Sequence, residues 1–124
     1  MKKAILDTSF ILTCIKEKID FIEELYLIGI EPILPNEVIL ELESFEKSKK
    51  KSHFKEDAKF ALKIIEKSKF KEISIGKGHT DNRIVDYLNA NKDVLLATMD
   101  KKLKERVKNS KIIVRGKKKL EIVN

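Results

Sequence analysis

Apolar positions along the chain follow two rhythms. Ala4 to Leu6 and Val94 to Thr98 are short unbroken apolar runs, the mark of strands buried on both faces. Ile30 to Leu34 and Ile112 to Val114 also read as strands, and Pro32 points to an edge or a strand start. Phe70 to Ile75 alternates, as a half-exposed strand does, and Leu120 to Val123 reads as a short last strand. Between these runs, apolar residues recur every three or four positions. This predicts helices from a Thr8 or Ser9 cap to about Lys16, over Ile19 to Ile28, and from an Asn36 cap through Glu37 to Phe45. Further helices are expected over Phe54 to Ile65, Asp81 to Ala90 and Asp100 to about Asn109. Alternation of this kind implies an α/β fold: a three-layer sandwich with a central, mainly parallel sheet flanked by helices. Residues 1–124 form a single domain on this reading, without repeat, linker or low-complexity tail.

Helical spacing also sorts the 20 acidic residues. In the helix after Glu37, the apolar residues Val38, Leu42 and Phe45 leave one position of their stripe to Glu41. In the helix after Thr80, Ile84, Val85 and Leu88 share a face with Asp81. A carboxylate on an apolar face is costly unless it is paired or binds a metal. Asp7 and Asp100 each end a buried apolar run, and ligands of open α/β sheets bind beyond such strand ends. An N-cap role is the plain alternative for Asp100. Four carboxylates with no Cys or His cluster beside them make an all-oxygen cage suited to Mg²⁺ or Mn²⁺.

Composition adds a partner. The net charge is +7, and 38% of residues are charged, so a polyanion such as RNA is a natural partner, with a lysine-rich surface as the bland reading. Lys49, Lys50 and Lys51 on one side, with Arg115, Lys117 and Lys118 on the other, are candidates to hold a phosphate backbone, and Arg83 joins them. A solvated loop is the ordinary reading of any one of these. Cys14 is the only cysteine, so no internal disulfide forms and a reducing, cytoplasmic setting is expected. The apolar start is interrupted by Asp7 and followed by Lys16-Glu17-Lys18, unlike a signal peptide, and no segment is long enough to cross a membrane.

The set Leu6-Asp7-Thr8-Ser9, Pro35 to Leu42, Thr80-Asp81-Asn82-Arg83-Ile84 and Leu96 to Leu103 resembles the PIN-domain nucleases. The stretch Ile112 to Glu121 looks most like archaeal single-domain members related to rRNA-processing nucleases. The resemblance implies a Mg²⁺- or Mn²⁺-dependent endoribonuclease that hydrolyses RNA by metal-activated water, with Asp7, Glu41, Asp81 and Asp100 both catalytic and metal-binding. It makes Ser9 and Thr98 supporting residues. Met99 stands where many members carry Asn or Asp, and Asn82 where many carry a second acid, so one ion is expected to be held more firmly than a second. RNA processing is the main role implied, with a ribosome-assembly partner. The alternatives are a toxin cleaving tRNA or rRNA, paired with an antitoxin, and a non-catalytic RNA-binding assembly module. A homodimer is a further expectation. A receiver-like signalling domain is disfavoured, because no acid pair follows the first strand.

Overall fold

The computed structural model describes residues 1–49 and 53–124. Among these, six strands form one sheet: β1 (Lys2–Leu6), β2 (Ile30–Pro35), β3 (Lys71–Ile73), β4 (Leu95–Ala97), β5 (Lys111–Val114) and β6 (Leu120–Val123). The helices are α1 (Thr8–Lys16), α2 (Phe21–Leu27), α3 (Asn36–Glu46), α4 (His53–Lys67), α5 (Thr80–Ala90) and α6 (Lys101–Glu105). The strand order is β3-β2-β1-β4-β5-β6. All neighbours are parallel except β5 and β6, which form an antiparallel hairpin.

Side-chain alternation explains why the central strands are apolar throughout. In β1, Ala4 and Leu6 join the core under α1 to α4, while Ile5 joins the core under α5 and α6. In β4, Leu95 and Ala97 face the first core and Leu96 the second. A strand covered on both faces has no position for a polar residue until it ends. The outer strand β3 is short and carries exposed Lys71 and Glu72, which discourages pairing with another chain.

The boundaries depart from the sequence pattern in places with identifiable causes. Pro32 lies in an interior strand, not at an edge. It pairs with Ala4 on one side, and β3 joins β2 only from Ile33 onward, so at Pro32 the strand has a single neighbour. Asn36 is the first residue of α3 rather than its cap; Pro35 holds that place. Helix α6 stops at Glu105, well short of Asn109. Asn109 is buried, and its side-chain amide nitrogen donates to the carbonyls of Val94 at 2.7 Å and Asn91 at 3.0 Å, and reaches that of Leu88 at 3.4 Å. One amide thereby satisfies carbonyls at the end of α5 and the entry to β4, and this fixes Asn109 outside a helix. No described helix is long and apolar enough to cross a membrane.

Asn109→Asp replaces a donor with a carboxylate facing those three carbonyl oxygens. It should cost roughly 3 kcal/mol of stability at neutral pH, less in acid where the carboxyl regains a proton to donate. Urea unfolding at pH 7 and pH 4 would show a midpoint lowered more at pH 7.

Candidate active site: an acid-lined cavity at the switch point

Connections leave β1 toward β2 and leave β4 toward β5, so the order of strands reverses between β1 and β4. In an open α/β sheet that reversal creates a crevice beyond the carboxyl ends of the two strands. Asp7 directly follows β1 and Asp100 lies just beyond the end of β4, so both acids stand at this crevice. A cavity of about 280 Å³ opens there, lined by Asp7, Ser9, Glu41, Thr80, Asp81 and Asp100, with Thr8 completing the wall. The four acids that helical spacing and strand ends singled out, from four parts of the chain, border one space.

Asp7 is the buried member, 6% exposed. It caps α1 itself, accepting the Phe10 N–H at 3.0 Å through Oδ1; Thr8 and Ser9, expected as caps, are helical. Ser9 donates its hydroxyl to the same oxygen at 2.7 Å. The Thr98 hydroxyl donates to Oδ2. Each hydroxyl is itself held by a backbone amide: Met99 N–H donates to Ser9 Oγ and Asp100 N–H to Thr98 Oγ1, both at 3.0 Å. A carboxylate has about four lone-pair sites. Three are used here, and the fourth remains on Oδ2.

Burial pushes the Asp7 carboxyl up to about 6. Hydrogen bonds from Thr98, Phe10 and Ser9 pull it down, and the negative charge of Asp81 adds to the rise. The folded protein thus carries an acid that its own surroundings disfavour as an anion, which is the condition a cation would relieve.

The other acids are more open. Glu41 and Asp100 are half-buried, and Asp81 is exposed at the cavity rim. Asp100 repeats the pattern of Asp7, capping α6 by accepting Leu103 N–H at 3.1 Å, so its capping and site-lining roles coexist. Among the described residues, no three His, Cys, Asp or Glu side chains converge closely enough to hold an ion as they stand. The four acids therefore ring the cavity instead of forming the closed cage expected from sequence. Inward hydrogen bonds hold Asp7, and the start of α5 leaves Asp81 in solvent. The donor set is nonetheless all oxygen and anionic, which fits a hard divalent cation that keeps part of its water shell.

One contributor is nearly silent in the sequence. Glu37, one turn before Glu41, accepts Ser74 hydroxyl at 2.9 Å and Ile75 N–H at 3.1 Å. Partial burial raises its carboxyl, but the amides of Ile75, Glu37 and Gly76 and the Ser74 hydroxyl outweigh this and hold it below the usual carboxylate range. Glu37 ties the segment leading into α5, and so Asp81, to the helix that bears Glu41. Its only sequence signal is a place in the first turn of α3, which favours any acid.

Apart from Ser9, the remaining predicted residues lie outside the cavity lining. Thr98 reaches Asp7 from behind the wall, as Ser9 does from within it. Arg83 forms an ion pair with Asp86 at 2.9 Å, and Arg115 pairs with Glu121 at 2.5 Å. Lys49 is exposed after α3, and Lys117 and Lys118 are exposed in the β5–β6 turn. Lys50 and Lys51 lie outside the described residues. Asn82 accepts from Arg106 at 2.8 Å, and the Met99 sulfur accepts the Val114 N–H at 3.3 Å, so both are engaged away from the cavity. Cys14 is buried, and burial raises its thiol well above the usual range, which leaves it a core residue.

An α/β domain with acids from both sides of its switch point presents them where ligands of open sheets bind. Residues 4–117 match the PIN-like domain family, and the chain belongs to it. It is 31% identical to "Ribonuclease VapC4" of Methanocaldococcus jannaschii, over 98% of this chain and 97% of that protein. It also superimposes on the solved PIN domain endonuclease Utp24 with a TM-score of 0.79, at 26% identity, covering 97% of this chain and 90% of the other.

The raised Asp7 carboxyl makes stability in the absence of metal depend on pH. An acid whose carboxyl is raised in the folded state favours folding at low pH, and this contribution is lost as pH rises from about 4 to about 6. Asp7→Asn keeps the cap acceptor and removes the charge. It should raise stability above pH 6 by on the order of 3 kcal/mol, and leave it little changed below pH 4. Thermal melts in chelator at pH 3.5 and pH 7.5 would show the variant's advantage at the higher pH alone.

Proposed function

We propose that this chain is a divalent-metal-dependent endoribonuclease that hydrolyses RNA phosphodiester bonds. The observation that carries the reading is the meeting of Asp7, Glu41, Asp81 and Asp100 around one cavity at the switch point. The names of its relatives, a ribonuclease and a PIN domain endonuclease, support RNA cleavage.

In this reading the four carboxylates hold Mg²⁺ or Mn²⁺. Such a cation, when bound, supplies a Lewis acid for a phosphate oxygen and makes water acidic enough to give up a proton near neutral pH. The protein's part is positioning. Ser9 and Thr98 hold Asp7 in one orientation with a lone pair to spare, and the Met99 and Asp100 amides hold those hydroxyls in turn. The loose ring of acids leaves space for a phosphate among them, and Asp81 at the rim faces solvent from which substrate arrives. Cleavage by water leaves a 5′ phosphate and a 3′ hydroxyl. Exposed Lys49, Lys117 and Lys118 serve the RNA backbone, while Arg83 and Arg115 are already neutralised by carboxylates and contribute less. We place the activity in the cytoplasm, acting in RNA processing.

Purified protein incubated with structured RNA and Mn²⁺ should cleave it, and chelator should stop cleavage. Asp7→Asn should reduce the rate to background while RNA binding survives. Ser9→Ala, which loosens Asp7 without removing it, should cost about 10- to 100-fold in activity or metal affinity. RNA binding without any Asp7-dependent cleavage would instead favour a non-catalytic assembly module.

A further inference from the structure

The opposite end of the sheet carries a second concavity, of about 580 Å³, whose wall includes Lys2, Lys3, Lys71, Tyr87, Asn91 and Asp93. The topology brings these together. β1 and β3 both run parallel to β2 and begin at this end, so Lys2 and Lys3 come from one strand and Lys71 from the other. Lys3 lies two residues before Ile5, and Lys71 two before Ile73, so both project to the α5 side of the sheet. Helix α5 runs back toward this end and delivers Tyr87 and Asn91 from its last turn and cap.

The charges are unbalanced. Three lysine ammonium groups border the space beside Met1, against one carboxylate, Asp93. None of these groups takes part in an ion pair; among the described residues the ion pairs are Arg83–Asp86 and Arg115–Glu121. The Tyr87 hydroxyl likewise has no hydrogen-bond partner among the described residues. Like charges gathered in a concave surface repel, and an anion placed among them removes the repulsion. The cavity volume falls within the usual range of about 300 to 1,000 Å³ for small-ligand sites. Lysines supply point charges suited to phosphate oxygens, and the unpartnered Tyr87 phenol adds a directional donor, while the Asn91 amide already donates one N–H to the Tyr87 carbonyl at 2.8 Å.

We propose that this amino-end cavity is a phosphate-binding site, separate from the acid-lined cavity. Its ligand is the phosphodiester backbone of RNA or the phosphate of a free nucleotide. The site does not rest on the nuclease reading, because its residues lie beyond the opposite ends of the strands from the four acids.

The test uses the full chain carrying Asp7→Asn, so that bound RNA is not cut. Lys2→Gln, Lys3→Gln and Lys71→Gln are combined in that background, with Lys71→Glu alone as a second variant should the combination fold poorly. RNA affinity is measured across salt concentrations, and backbone amide NMR shifts are followed on adding AMP and inorganic phosphate. If the site grips RNA, the slope of log affinity against log salt falls by about 2, at about 0.7 for each phosphate no longer neutralised, and Lys71→Glu weakens binding about tenfold. If it takes a free nucleotide, AMP shifts the amides of Lys3, Lys71 and Asn91 in the parent and not in the variants, with the salt slope unchanged. Folded variants that keep the parent's salt slope, together with a parent whose amides respond to neither AMP nor phosphate, overturn the proposal. RNA cleavage measured separately on the same lysine changes in the Asp7 protein tells failure of this site from failure of the nuclease reading.

Discussion

The arrangement depends on one carboxylate kept where water barely reaches. Asp7 ends a strand with apolar packing on both faces, and an acid placed there is stable only if its oxygens are occupied. Much of the local structure answers that requirement. Helix α1 begins where it does because Asp7 caps it. Ser9 and Thr98 are hydroxyl residues because each must donate to an acid while accepting from a backbone amide. The turn between β4 and α6 is fixed in place by two of those amides, from Met99 and Asp100. The cavity and the junction of two central strands are thus one hydrogen-bonded unit.

The more open acids complement this rigidity. Glu41 is half-buried on α3 and Asp100 half-buried at the cap of α6, while Asp81 is exposed at the cavity rim. A firmly held inner carboxylate with more open ones around it would suit the exchangeable cation of the proposed activity. Glu37 limits the looseness by fastening the approach to α5 onto α3.

The fold is readable in the sequence because it follows from burial, and helical spacing with strand ends brings the four acids to one cavity, although Asp81 proves exposed there. Strands covered on two faces show as unbroken apolar runs, and an acid sharing the spacing of Val38 and Leu42, or of Ile84, Val85 and Leu88, stands out against that background. Interactions between distant segments leave no such trace. The side chain of Asn109 that ends α6, the single neighbour of Pro32 and the grip of Glu37 on Ser74 and Ile75 each join parts of the chain that only the folded topology brings together. The openness of the acid ring is hidden for the same reason. Periodicity tells which face a residue is on, and not how far its carboxylate stands from the next. The amino-end lysines look like ordinary surface charge in the sequence, because Lys2 and Lys3 are far from Lys71 along the chain.

The pairing of β1 with β4 sets an order on the birth of the site. Asp7 receives its second oxygen's donor from Thr98, 91 residues later, and nothing nearer in sequence occupies that place. A chain emerging from its N-terminus carries Asp7 and Glu41 well before β4, and Asp81 shortly before it. Until β4 crosses the sheet and closes against β1, the first acid lacks its full set of hydrogen bonds and the crevice has only one wall. A chain that stops short of β4 therefore carries Asp7, Glu41 and Asp81 but neither Asp100 nor the second wall of the crevice.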